Sequence, residues 1–247
     1  SDPSDWVEYL SLWNAYWSKH GAKYQAMLNQ EFNFDPPEVK EISPKEDGQY
    51  FTLSSHLNIY GFPAELDYDD RVERPKNILP MDAFCRTIPE PFKMPSELDL
   101  QPGQRLIYLS LGSMGSIDVE LMKRILAVLA KTQHKYIVSK GPCGDEYDLP
   151  PNCWGQAFLP QTAILPLVDL VITHGGNNTV TESFSFGKPM IVLPLFGDQY
   201  DNPQRVYEKG YGVRLEPYSF TERQLLDSID RLLSDVELYE RLQAVKE

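Results

Sequence analysis

Between Val168 and Asn202 the chain reads VDLVITHGGNNTVTESFSFGKPMIVLPLFGDQYDN, and the side chains able to do chemistry are concentrated there. An apolar run from Val168 to Thr173 predicts a buried strand that ends on His174. Gly175 and Gly176 follow, then Asn177, Asn178 and Thr179 open a helix, with Glu182 one turn further in. A parallel α/β sheet holds an anion in this way. Amide N–H groups and the positive end of the helix dipole face it, and glycines let it approach. Asn178 and Glu182 are four residues apart and share a helical face. A carboxylate there can accept both hydroxyls of a cis-diol. A second apolar run, Met190 to Leu195, carries Asp198 and Gln199 just past its end, at the edge of an open parallel sheet where ligands bind. An acid–amide pair can take two adjacent hydroxyls. Upstream, Phe158 can stack on a flat ring, with Trp154 as a competitor, and Gln161 can hydrogen-bond near it. Each residue has a plainer reading: Phe158 in a core, His174 structural, Glu182 on a solvated face, Asp198 in a solvated loop.

The elements that would position these residues are legible around them. Arg105 to Leu111 is continuously apolar enough for a buried parallel strand. Gly112 to Ser116 forms a turn that presents Ser113, and a helix is predicted from Ile117 to Thr132. Tyr136 to Ser139 reads as a strand, and Lys140 to Asn152 as a Gly/Pro-rich loop leading to Phe158. Thr221 to Val245 reads as one closing helix with Thr221 as its N-cap. Strands alternating with helices predict an α/β fold with a doubly wound parallel sheet. Near the start, residues 1–31 read as a helix with Trp6, Tyr9, Leu10, Trp13, Tyr16 and Trp17 in one apolar stripe. Residues 33–48 read as a loop, Tyr50 to Tyr60 as a strand with its turn, and Pro75 to Pro102 as a linker rich in proline.

Composition narrows the partners. A formal charge of −13 over 247 residues argues against nucleic acid or an anionic membrane surface. The three cysteines, Cys85, Cys143 and Cys153, form no CxxC and no even framework, which suits free thiols in a reducing compartment. No apolar run approaches the ~18–20 residues of a membrane span, and no signal-peptide pattern opens the chain. A cytoplasmic protein is expected. The four histidines show no metal-ligand spacing, and no GxxxxGK[ST] occurs.

In one register Gln161, His174, Gly176, Asn178, Thr179, Glu182, Gly187, Pro189, Pro194, Asp198 and Gln199 resemble the nucleotide-sugar signature of the UDP-glycosyltransferases. The similarity extends more loosely from about Phe62 to the C-terminus. The resemblance implies the GT-B fold with a Rossmann-like donor domain, no cofactor and no metal. The implied donor is UDP-glucose or another UDP-sugar, and the acceptor a small lipophilic molecule, which suits xenobiotic detoxification. It implies that residues 1–80 end an acceptor domain, 81–104 link, and 105–247 bind UDP-sugar. Phe158 and Gln161 would serve the base, Glu182 the ribose, Ser113, His174, Gly176, Asn178 and Thr179 the diphosphate, and Asp198 with Gln199 the hexose. The family's base, a histidine in a glycine–histidine context, has no counterpart in His20 or His56. No catalytic residue is assigned; the base is expected upstream of Ser1, and this stretch by itself is expected to be inactive. Asp67-Tyr68-Asp69 resembles the DxD of metal-dependent glycosyltransferases of another fold but reads as a solvated acidic loop. A UDP-sugar epimerase of the same fold, or a non-catalytic UDP-sugar-binding fragment, are the alternatives.

Overall fold

The computed structural model describes residues 3–33, 54–70, 73–82, 84–86 and 92–246, with the side chains of residues 3–10, 17, 198 and 246 excepted. The loop expected over 33–48 lies, beyond its first residue, outside them, as does the start of the Tyr50–Tyr60 strand. Two compact units form: Ser1–Asn58 with Lys76–Leu79, and Ile59–Pro75 with Pro80–Glu247. The first contains one long helix, α1 (Pro3–Phe32). It is the helix expected there, and Leu12, Tyr16, Met27 and Phe32 on it are exposed. Of the expected stripe, the side chains of Trp6, Tyr9, Leu10 and Trp17 lie outside the description. No described helix is long and apolar enough to cross a membrane.

The second unit is built on six parallel strands: β1 (Leu106–Ser110), β2 (Lys135–Ser139), β3 (Cys153–Gln156), β4 (Leu170–Thr173), β5 (Met190–Val192) and β6 (Gly212–Arg214). Their order across the sheet is β3-β2-β1-β4-β5-β6. This is the doubly wound dinucleotide-fold order, and its direction reverses between β1 and β4. Every residue of β1 and β4 is buried, as continuous apolar runs require of strands covered on both faces. The main helices are α2 (Val119–Leu129), α3 (Asn177–Ser185), α4 (Asp201–Glu208), α5 (Glu222–Ser234) and α6 (Val236–Lys246).

Capping chemistry sets several boundaries. Asp118 accepts from the Leu121 N–H at 3.0 Å and starts α2 two residues later than expected. Thr221 caps α5 through a reciprocal box with Gln224. The single helix expected over Thr221–Val245 is two, because Asp235 leaves helical geometry and its carboxylate accepts from the Leu238 N–H at 2.8 Å. The turn expected after β1 is a short helical turn, Gly112–Gly115.

Three elements, β3, β6 and α4, are not among those expected from the sequence. In β3 a methyl on Gly155 would stand 2.1 Å from the Val138 carbonyl oxygen, and in β6 one on Gly212 would stand 2.2 Å from that of Met190. Backbone contact, not an apolar pattern, demands those glycines. In α4, Pro203 sits in the first turn, where a missing N–H costs nothing.

Arg205 on α4 is 1% exposed. It donates to the Leu66 carbonyl at 2.9 Å, to the Asp67 carbonyl and to Asp70 at 2.9 Å, and lies over the Tyr68 ring. The Asp67–Asp69 stretch is therefore not the solvated loop expected. Asp69 is exposed, but Asp67 is largely covered and accepts from the Tyr60 hydroxyl and from Arg74 at 2.8 Å. Burial and this bond push the Tyr60 phenol up to about 12. Among the described residues no cluster fit for a metal ion occurs.

His134 precedes β2. It is buried, its Nδ1 accepts from the Arg105 N–H at 3.2 Å, and burial holds its pKa below the ordinary value of 6.5. The unfolded chain therefore takes up this proton first, so the stability His134 contributes is complete above about pH 6.5. It is lost as the pH falls through the lower folded value. Thermal melts between pH 7.5 and 5 are expected to show falling stability, and His134→Gln a shallower fall. Equal slopes for the two proteins would remove His134 from the account.

Candidate functional site

The reversal of strand order leaves a crevice at the carboxyl ends of β1 and β4, where ligands of such sheets bind. Register puts Ser110 beside Thr173, so the two turns that follow open side by side. A groove of about 530 Å³ lies there. Ser113 reaches it from the turn after β1, and His174, Gly176, Asn178 and Thr179 from the turn after β4. Phe158 and Gln161 reach it from the segment after β3, and Gln199 from the turn after β5. Residues spread over nearly ninety positions of sequence are thus gathered at one sheet edge.

No side chain caps α3: its N-cap is Gly176, and the first helical bond runs from the Val180 N–H to the Gly176 carbonyl. The amides of the first turn point along the axis into the groove, as helix geometry dictates. The glycines have separate tasks. Gly175, at φ +86°, lets the chain turn where a methyl would strike the Pro203 ring at 2.3 Å. Gly112 and Gly176 flank the imidazole of His174. A methyl on Gly112 would stand 2.8 Å from Cε1, and one on Gly176 2.6 Å from Nε2. Nδ1 of His174 lies 3.3 Å from the Thr173 hydroxyl. The imidazole is held in a slot at the helix start.

Phe158 is 69% exposed, so it does not belong to the core. Trp154 does the packing instead, against Phe92 with ring centroids 5.8 Å apart. Gln161 is buried and donates to Glu182 at 2.5 Å and to Thr179 at 3.4 Å. Gln199 is buried too, and its amide oxygen accepts from the N–H groups of Leu195 and Phe196 at 3.0 and 3.1 Å. These bonds engage the oxygen end of its amide. Asp198 lies in the same short turn, Gly197–Gln199, with its side chain outside the description.

Glu182 is placed differently from the exposed Asn178. It is 1% exposed and forms a paired contact with Arg86, Nε to Oε1 at 2.7 Å and Nη2 to Oε2 at 3.1 Å. The bond to Glu182 raises the Arg86 pKa further. Sequence reasoning missed Arg86. A lone arginine in a proline-rich stretch has no period. The available signal was an acid predicted on a helix that leaves a buried turn: once buried, such an acid needs a cation.

Comparison with known proteins now bears on this groove. The family model described as UDP-glucoronosyl and UDP-glucosyl transferase matches residues 53–244. The chain belongs to that family. It is 29% identical over 193 residues to human UDP-glucuronosyltransferase 1A7, covering 75% of this chain and 36% of the relative. It is 22% identical over 249 residues to the sterol 3-beta-glucosyltransferase of Pichia angusta, covering 98% of this chain and 20% of that one. The chain thus spans about a third of the human relative's length and a fifth of the yeast one's. Among solved structures, the glycotransferase of kitacinnamycin superposes with a TM-score of 0.70 at 23% identity, over 98% of this chain and 60% of that one. The UDP-glycosyltransferase fold is GT-B, and the six-stranded sheet is its doubly wound, Rossmann-like half.

In this UDP-glycosyltransferase the slot around His174 can be tested without any ligand. Gly112 has φ +68° and Gly197 φ +62°, but nothing lies within 4 Å of a methyl at Gly197. Either residue changed to alanine carries the left-handed penalty of about 1–2 kcal/mol. Gly112→Ala is expected to exceed Gly197→Ala in thermal destabilisation, and it alone is expected to shift the His174 ring resonances by NMR. Matching effects from the two variants would show that the ring is not held by that glycine.

Proposed function

We propose that this chain carries the donor site of a glycosyltransferase that moves a hexose, glucose, from a UDP-sugar to a hydroxyl of a small lipophilic acceptor. The transfer inverts the anomeric carbon and uses no metal. The observation that carries the reading is the convergence at the switch point. An aromatic, a buried amide bonded to the buried acid Glu182, an uncapped helix start with a slotted imidazole, and a second amide beyond β5 meet at one groove, and these types suit a base, a ribose, a diphosphate and a sugar. Phe158 stacks on uracil with Gln161 beside it. Glu182 takes the ribose diol. The α3 amides, His174, Asn178, Thr179 and Ser113 hold the diphosphate. Asp198 and Gln199 take hexose hydroxyls.

The chemistry follows from charge. As the glycosidic bond breaks, negative charge grows on the β-phosphate. Donors already aimed at that position stabilise it without reorganising. Residues 105–247 are the UDP-sugar domain in this reading, 81–104 the connection, and 1–80 the end of the acceptor domain. The general base that takes the acceptor's proton comes from the acceptor domain, and no residue of this chain is assigned to it. A cavity of about 450 Å³ lined by Ile59, Tyr60, Met81 and Phe84 shares Asn177 and Asn178 with the groove. Its apolar wall supports a lipophilic acceptor.

Titration calorimetry with UDP and UDP-glucose tests the reading. Binding is expected, weakened about tenfold or more by His174→Ala and by Glu182→Gln, since each removes a hydrogen bond to a charged group. Unchanged UDP affinity in both variants would mean that the groove is not the donor site. The full-length enzyme is expected to transfer glucose to an alkylphenol; turnover of UDP-glucose without any acceptor would point to epimerisation instead.

A further inference from the structure

Glu182 is the residue suited to a ribose diol, yet in this structure both of its oxygens are engaged. Oε1 accepts from Arg86 Nε, and Oε2 accepts from Arg86 Nη2 and from Gln161 Nε2. A carboxylate has about four acceptor positions, and three are filled. Two ribose hydroxyls need two, so at least one bond must give way. Gln161 is buried and hydrogen-bonded to Thr179. Arg86 is the partner that reaches water, its side chain 60% exposed while that of Glu182 is 2% exposed. Arg86 is therefore the one that leaves.

Where it goes is set by charge. Arg86 lines the groove together with Ser113, His174 and Gly176, and among the described lining residues it is the one permanent cation. The chain as a whole has a formal charge of −13, so the anion-favouring groups are local to the groove: the α3 amides, the polar side chains beside them and Arg86. A guanidinium matches phosphate oxygens with paired donors.

We propose that Arg86 is a donor-exchange residue: it holds Glu182 until a ribose displaces it, then moves onto the diphosphate. This rests on the groove being a UDP-sugar site. In the exchange, N–H bonds from Arg86 to Glu182 are replaced by ribose O–H bonds to Glu182 and by N–H bonds from Arg86 to phosphate oxygen. No charge is left unpaired. The residue that sterically guards the ribose position thereby reports on whether a diphosphate has come with it.

The test compares uridine with UDP by calorimetry on the whole chain, for the unchanged protein, Arg86→Met and Arg86→Lys, with circular dichroism checking the fold. In Arg86→Met the UDP affinity is expected to fall about tenfold or more, while uridine binds as well as before or better. Arg86→Lys keeps a cation without paired donors. It is expected to bind uridine more tightly and to keep UDP affinity near that of the unchanged protein. If Arg86→Met weakens both ligands by one common factor, Arg86 merely orients Glu182 and the exchange is wrong. No change for either ligand also overturns it. Should Arg86→Met fail to fold, Arg86→Lys decides: a parallel loss for both ligands refutes the exchange. An unchanged protein that binds neither ligand defeats the reading of the groove itself, a result distinct from an unaltered UDP-to-uridine ratio.

Discussion

The site depends on β1 and β4 being neighbours. Ile107–Ser110 runs parallel to Leu170–Thr173, although more than sixty residues separate them, with β2 and β3 on one side and β5 and β6 on the other. Each right-handed crossover carries its helix back over the sheet, so the chain departs from the two strands in opposite directions. The departing turns cannot fill the space above their shared edge. That space is the groove. The glycines at 112, 175 and 176 are the local price of fitting an imidazole and a helix start into it.

A second constraint follows from burying an acid there. Glu182, at 1% exposure, would be costly alone. Arg86 and Gln161 make it tolerable, and in doing so they draw three distant segments to one point. Breaking such a pair from one side leaves the other charge stranded. The network therefore orders the groove before any ligand contributes. Phe158 stays exposed, while Trp154 and Phe92 pack against each other.

Much of this was legible in the sequence, and what was not has physical causes. β1, β2, β4 and β5 are buried strands written in apolar residues. Helix α3 is announced by polar residues after glycines, and the α5 cap by Thr221 with Gln224. Of the expected site residues, Ser113, Phe158, Gln161, His174, Gly176, Asn178, Thr179 and Gln199 line one groove, while Glu182 is not among its lining residues and meets it through Gln161 and Arg86. Invisible were elements defined by close backbone approach, such as β3 with Gly155, and partners defined by charge over long separations, such as Arg86 with Glu182. Periodicity records which face of an element is apolar. It holds no record of what a single arginine will meet ninety-six positions away.

Arg205 has a further consequence. Its guanidinium sits on α4, in the sheet's second half, yet its partners are the carbonyls of Leu66 and Asp67 and the carboxylate of Asp70. A chimera made from this chain could be joined in the proline-rich stretch around residues 81–104. A joint there separates α4 from residues 66–70 and takes from Arg205 three of its oxygen partners and the Tyr68 ring, leaving Glu208. The seam at which this molecule can be cut and rejoined is thus set not by the linker but by where one arginine finds its oxygens, and grafts that carry residues 59–75 along with the sheet keep that seam closed.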